Sequence, residues 1–246
     1  MKNIILILLT ALTTQIVAQK KITFKATDSL KITADLYIEN SEKAPLILLF
    51  HQAGWSRGEY KEIAPKLNKL GFNCIAFDQR SGGEVNDVIN ETHQRAKKQK
   101  LGTNYVDALV DITSSIDYAK KKYGNASKLI IWGSSYSAGL VLKLAGEQEN
   151  IDAVLAFSPG EYYKKLGKPA DWIAQSAKNI EIPVFITSAK LEKKSWWKIS
   201  EVIPSEQKAY FLPQKMGKHG SRALWEKFSD HKAYWKAVTN FLDVIK

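Results

Sequence analysis

Apolar and polar positions along this chain fall into short blocks, and two kinds of block alternate. Residues Lys21 to Ile38 alternate apolar and polar, broken at Asp28-Ser29, as the two strands of an antiparallel edge hairpin would. Leu46-Ile47-Leu48-Leu49-Phe50 is apolar throughout, which predicts a strand covered on both faces. Tyr60, Ile63, Leu67 and Leu70 then recur at helical spacing, with Gly71 as the stop. Cys74 to Phe77 is the next buried strand. A longer helix is expected after Thr103, with Tyr105, Leu109, Ile112 and Ile116 on one face and Asp107 and Asp111 on the other. Further strands are predicted at Lys128 to Trp132, Ala153 to Phe157, Val184 to Thr187 and Ala209 to Leu212. Leu224, Phe228, His231, Trp235, Val238 and Leu242 mark a C-terminal amphipathic helix.

Strands that alternate with helices imply an α/β fold. The expected form is a doubly wound, mainly parallel sheet with the N-terminal antiparallel hairpin at its edge. A ligand site in such a sheet lies at the carboxyl ends of the strands. No repeat, low-complexity tract or linker interrupts the pattern, and 246 residues suit one domain. The stretch from Ser158 to Ile180 is too short for a large lid, so little or no cap is expected and the site should be open.

The first residues are of another kind. Lys2 precedes the apolar run Ile4 to Leu9, and Ala18 supplies a small residue after Thr10 to Val17. This reads as a signal peptide over 1–18, with the folded domain over 19–246 and a secreted or periplasmic destination. A membrane span needs about 20 apolar residues, and Thr10, Thr13, Thr14 and Gln15 interrupt this run first.

Composition narrows the function classes. With 45% hydrophobic and 25% charged residues the chain is globular. Its 36 Lys and Arg against 25 Asp and Glu leave a net charge of +11. The densest basic stretch, Arg95 to Lys100, carries no aromatic residue, so it reads as a solvated face and no nucleic-acid partner is expected. The general excess of positive charge favours anionic surfaces. The single cysteine, Cys74, has no partner for an internal disulfide and reads as a buried strand thiol. No metal-ligand cluster and no phosphate-cradling glycine loop is present, so no cofactor or metal is expected.

The chemistry centres on Leu129-Ile130-Ile131-Trp132-Gly133-Ser134-Ser135-Tyr136-Ser137-Ala138-Gly139, an apolar strand that breaks at Gly133 and restarts as a helix. A serine on such a corner is pushed out of the sheet, and small flanking residues let the turn close. Gly133 and Ser137 are those flanks and put Ser135 at the apex. A serine hydroxyl needs a general base, and the chain offers His51, His93, His219 and His231. His231 falls on the apolar stripe of the last helix and His93 lies in a polar, exposed stretch. His219 stands in the glycine-flanked loop Met216 to Ser221, after the last strand and level with the elbow, and is the candidate base. The imidazole needs a carboxylate to orient it. Glu192 is the acid of the loop after Val184 to Thr187, and Glu161 after the preceding strand is its rival.

The order Ser135, Glu192, His219 on alternating strands resembles the α/β-hydrolase fold, and the small plan without a cap is similar to dienelactone-hydrolase-like members. The resemblance rests on the elbow, on Leu49-Phe50-His51-Gln52-Ala53-Gly54, on Phe77-Asp78-Gln79-Arg80-Ser81-Gly82-Gly83, and on His219-Gly220. It implies oxyanion N–H groups at Gln52 or Ala53 and at Tyr136, a loop-shaping role for His51, and a mainly structural role for Asp78 and Arg80. The chain departs from the pattern at Ser137, where glycine is usual, at Glu192, where aspartate is commoner, and at Gln52, where glycine is common.

The resulting expectation is a secreted serine hydrolase of small-molecule esters or lactones. His219 would take the Ser135 proton, and an acyl-enzyme would form on Ser135. A binding protein with a blocked site and a peptidase using the same residues are the alternatives. Tyr162, Tyr163, Trp172, Trp196 and Trp197 are expected on loops near the site. Trp196 and Trp197 are the candidates for stacking on substrate, and Arg80 for meeting a substrate carboxylate.

Overall fold

A computed structural model describes residues 20–246 apart from 148, 149, 205 and 207. The expected signal peptide lies outside the described residues. Strands β1 (Lys20–Lys25) and β2 (Lys31–Tyr37) form the predicted antiparallel hairpin, turning at Ser29, whose φ is 71°. The chain continues through β3 (Leu46–Phe50), a 3-10 turn at Arg57–Tyr60, α1 (Ile63–Lys69) and β4 (Asn73–Phe77). A two-stranded ribbon of β5 (Glu84–Val85) and β6 (Val88–Ile89) leads into α2 (Glu91–Lys98) and α3 (Leu109–Lys122). Then follow β7 (Leu129–Ser134), α4 (Tyr136–Ala145), β8 (Ala153–Phe157), α5 (Trp172–Ala177), β9 (Val184–Thr187), α6 (Lys193–Val202), β10 (Lys208–Phe211) and α7 (His231–Ile245).

The main sheet has eight strands in the order β1-β2-β4-β3-β7-β8-β9-β10. Every pair from β4 to β10 is parallel, and β2 runs antiparallel to β4. This is the expected mainly parallel sheet with antiparallel strands at its N-terminal edge. Period-2 geometry splits β3 between two cores: Leu46, Leu48 and Phe50 join the cluster under α3, α4, α5 and α6, while Ile47 and Leu49 join the one under α1 and α7. Both faces are covered, which is why the strand reads as an unbroken apolar run.

After β3 the chain moves to β4 on one side and later returns to β7 on the other. The carboxyl ends of β3 and β7 are therefore the crevice where the winding reverses. The loop from 51 and the corner at 135 both open into it.

Three expectations need correction. Asp111, placed on the face opposite the apolar stripe, is fully buried and accepts hydrogen bonds from Arg80. The polar stretch around His93 is helix α2, capped at its start by the Asn90 side chain, which accepts from His93 N–H. Trp172 lies in α5, and Trp196 and Trp197 lie in α6, where loops were expected.

Candidate active site

The elbow begins at a glycine that close packing requires. A Cβ on Gly133 would stand 2.5 Å from the Ser137 carbonyl oxygen and 2.6 Å from the Ala138 backbone. Ser135 sits at the apex with φ 61° and ψ −120°, a region L-residues rarely adopt, and α4 starts at the next residue. Its N–H is held by the Phe157 carbonyl of β8 at 2.7 Å. Ser137, where the usual motif has glycine, knits the corner together. Its Oγ accepts from Ser134 N–H at 2.8 Å and faces two carbonyl acceptors, Phe50 at 2.8 Å and Ser134 at 2.9 Å.

The loop after β10 brings His219 to this corner. Its Nε2 is 2.8 Å from Ser135 Oγ and its Nδ1 is 2.7 Å from Glu192 Oε1. A neutral imidazole facing a carboxylate places its proton on Nδ1, so Nε2 accepts from the serine hydroxyl. Burial alone would raise the Glu192 carboxyl, but hydrogen bonds from His219 and Ser158 outweigh it and hold Glu192 below the usual glutamate range. Ser158 donates to Glu192 Oε2 at 2.7 Å and accepts from Gly220 N–H at 2.9 Å, so one hydroxyl orients both the acid and the histidine loop. Glu161, the rival acid, is turned away. It accepts from the Ile173 and Ala174 N–H groups at the start of α5.

The loop after β3 is pinned from below. His51 is fully buried; its Nδ1–H donates to the Gln52 carbonyl at 2.8 Å, and its Nε2 accepts from Gln79 N–H at 3.0 Å. Burial pushes this imidazole down to about 4, so it stays neutral at ordinary pH. The Gln52 N–H, one of the two expected oxyanion donors in this loop, is committed to Glu59 Oε2 at 2.7 Å. That corrects the expectation for Gln52 and leaves Ala53 N–H, which has no partner among the described residues. Tyr136 N–H is likewise free, as the first residue of a helix.

Glu59 was not visible as a site residue in the sequence. An acid just ahead of an amphipathic helix reads as a solvated first-turn residue. Here it is fully buried beneath the corner, with Oε1 accepting from Ser134 Oγ at 2.7 Å. Ser134 Oγ in turn accepts from Ser221 N–H at 2.9 Å. Burial lifts the Glu59 carboxyl to about 7, although the Ser134 and Gln52 hydrogen bonds oppose the shift.

Other expected contacts lie elsewhere. Arg80 is 4% exposed and fully engaged, with Nη2 at 2.8 Å from Asp111 and 2.6 Å from Asp28, so it has no freedom to meet a substrate carboxylate. Trp196 is fully buried and its Nε1–H donates to Ser188 Oγ, which makes it a core residue and removes it as a stacking surface. Trp197 is half-buried against Tyr210 and donates to Glu201 on its own helix. Tyr163 is buried against the Tyr136 carbonyl. His93 packs Nδ1–H onto the Arg80 carbonyl, and His231 begins α7, half-buried. Partly exposed aromatic rings on the segments that meet at the corner include Trp55, in the loop after β3, Tyr105, stacked on Tyr136 at 4.7 Å, and Tyr162, whose hydroxyl donates to the Ser158 carbonyl.

The family description Hydrolase_4, serine aminopeptidase S33, matches residues 41–180, a stretch that carries the β3 loop and the Ser135 corner and exceeds half of the chain. The chain belongs to this family of α/β hydrolases. Glu192 and His219 lie beyond the matched stretch, so their meeting with Ser135 is a finding of the fold. Similar solved structures include the Pyrococcus furiosus esterase Pf2001, with TM-score 0.71 and 17% identity over 92% of both chains. The dienelactone hydrolase from Anabaena variabilis has TM-score 0.71 and 14% identity over 92% of this chain and 97% of that one. Among curated proteins, the quorum-quenching protein AidA of Acinetobacter baumannii is 27% identical over 135 residues, 54% of this chain. The match spans 41% of the length of that relative.

Proposed function

We propose that this hydrolase cleaves carboxylic esters or lactones of small molecules through an acyl-enzyme on Ser135. The observation that carries the reading is the unbroken relay from Ser135 Oγ to His219 Nε2 at 2.8 Å and from His219 Nδ1 to Glu192 at 2.7 Å, starting at a strained corner. His219 takes the hydroxyl proton as Ser135 attacks the carbonyl carbon. Glu192 stabilises the imidazolium, and Ala53 N–H and Tyr136 N–H receive the oxyanion. The imidazolium then protonates the leaving alkoxide. Water, deprotonated by His219, releases the acyl group. Each oxyanion donor contributes about 3 kcal/mol to lowering such a barrier. Trp55, Tyr105 and Tyr162 offer apolar contact to the acyl or alcohol portion.

A fluorophosphonate probe should label the wild type at Ser135 and leave Ser135→Ala unlabelled; equal labelling of both sinks the assignment. The serine aminopeptidase description of the family, and the similarity to the Pyrococcus horikoshii acylaminoacyl peptidase at TM-score 0.64, favour a peptidase as the second reading. Short-chain p-nitrophenyl esters, lactones and aminoacyl p-nitroanilides compared side by side separate the two. Anilide turnover exceeding ester turnover would replace the ester reading. Secretion belongs to the same proposal, and recovery of a chain shortened at Ala18 or Gln19 outside the cytoplasm tests it.

A further inference from the structure

We infer that Glu59 is a positioning residue that latches the oxyanion loop to the nucleophile corner and to the histidine loop; the inference rests on the hydrolase reading. The geometry is specific. One carboxylate oxygen accepts from the backbone N–H of Gln52, directly before Ala53, and the other accepts from the hydroxyl of Ser134, directly before Ser135. Ser134 Oγ passes the tie on by accepting from Ser221 N–H, two residues after His219. A single buried side chain on the Arg57–Tyr60 turn thus touches, directly or through one hydroxyl, the oxyanion loop, the nucleophile corner and the histidine loop, three of the four segments that form the site. The turn itself is fastened: Trp225 Nε1–H donates to the Glu59 carbonyl at 3.0 Å, and Arg57 is clamped by Asp78 and Asp35.

A buried carboxylate is costly unless its oxygens are satisfied. The neighbouring Arg57 is already engaged by Asp35, Asp78 and Glu91. Among the described residues, Gln52 N–H and the Ser134 hydroxyl donate to Glu59 directly, and both belong to site segments. The ionisable groups that feel its charge are His219, Tyr60 and Tyr136, and none of them is an ion-pair partner. The packing above the latch is tight. A Cβ on Gly220 would meet Gln52 Oε1 at 2.5 Å and Ser134 Oγ at 2.6 Å, so the histidine loop closes directly over the two tied residues. With Gln52 N–H drawn down to Glu59, the peptide orientation of the loop is set, and the following N–H, of Ala53, is the one left for the substrate oxygen. Without the latch this loop has no fixed N–H to offer, so the cost falls on the transition state and spares ground-state binding.

The test compares wild type, Glu59→Ala and Glu59→Gln in amide hydrogen exchange of the loop after β3 and in ester turnover per site titrated with fluorophosphonate. Glu59→Ala should lose protection at Gln52 and lose at least tenfold in kcat with KM within about twofold. Glu59→Gln keeps an acceptor for Gln52 N–H and a donor for Ser134 Oγ, so it should restore both protection and most of kcat. A purely structural residue would lower the melting temperature and the titrated fraction while leaving kcat per site unchanged; that result overturns the latch. Unchanged Gln52 exchange in Glu59→Ala overturns it as well. Failure of Glu59→Gln to restore kcat despite protection overturns it in favour of a charge effect. If Glu59→Ala does not fold, Ser134→Ala cuts the second arm: a fall in kcat with Gln52 still protected supports the latch, and wild-type kcat refutes it. Absence of labelling in the wild type would sink the hydrolase reading, and the exchange arm would still decide whether Glu59 holds the loop.

Discussion

Restoring the usual glycine at position 137 should harm this protein. Ser137 is fully buried, and its hydroxyl is the acceptor for Ser134 N–H at 2.8 Å and a donor toward the Phe50 carbonyl at 2.8 Å. Ser137→Ala removes that hydroxyl and strands a buried N–H, a loss of about 1–3 kcal/mol. Ser137→Gly adds the backbone freedom of a glycine in the first turn of α4, about 0.5–1 kcal/mol more. A domain of this size loses about 2–4 °C per kcal/mol, so Ser137→Gly should melt on the order of 10 °C below wild type. Ser137→Ala should fall between them. Differential scanning calorimetry of the three proteins, with fluorophosphonate titration to count intact sites, measures both stability and corner geometry. A Ser137→Gly protein as stable as wild type would refute the reasoning, because the hydroxyl would then be replaceable by the ordinary motif.

Other outcomes follow from the same geometry. Glu192→Gln should cut kcat by on the order of 10³–10⁴, since the amide cannot hold the required tautomer. Glu161→Gln, which weakens a helix cap, should leave turnover unchanged and lower stability by about 1 kcal/mol; steady-state kinetics and melts of both check the assignment of the acid. Arg80→Ala leaves Asp111 buried without its cation and should destabilise the fold by about 3–5 kcal/mol. Its KM for acidic and neutral esters should rise by the same factor if at all, and a selective rise for acidic esters would return Arg80 to the substrate. Glu59 has its folded-state pKa raised to about 7. The native state therefore holds this proton through a range where the unfolded chain has released it, and stability falls as pH rises from about 4.5 to about 7, by about 3 kcal/mol. Glu59→Gln lacks the proton, so its unfolding free energy should decline less over that range than that of wild type. Parallel decline in urea melts at pH 5 and pH 8 would contradict the buried carboxylate.

Much of the scaffold was legible because burial on two faces writes itself into composition. The runs Leu46–Phe50, Ala153–Phe157 and Val184–Thr187 coincide with β3, β8 and β9 residue for residue. The helix stops at Gly71 and the corner at Gly133 were readable for the same reason, since each is a local steric demand. The Ser135, Glu192 and His219 positions were ranked from loop order along a parallel sheet, and the fold brings their side chains into one hydrogen-bonded line. Helix α6 was missed because its Trp196-Trp197 pair straddles a boundary between core and surface, which local spacing does not resolve.

What stayed hidden depends on contacts between residues far apart in the chain. Arg80 and Asp111 each look solvated when read singly, yet they are buried because each neutralises the other across 31 residues. Glu59 looks like the exposed acid of a first helical turn, and it is fully buried where Gln52 N–H and the Ser134 hydroxyl converge on it, the latter itself held by Ser221 N–H. By itself the sequence determined the parallel sheet, the strained serine and the order of the groups that reach it. Tertiary structure alone decided that Gln52 N–H is committed to Glu59 while Ala53 N–H keeps no partner among the described residues, and that Trp196 and Arg80 belong to the interior. The physical reason is common to all three: a polar group goes wherever its hydrogen-bond partners are, and those partners are set by the packing of distant segments.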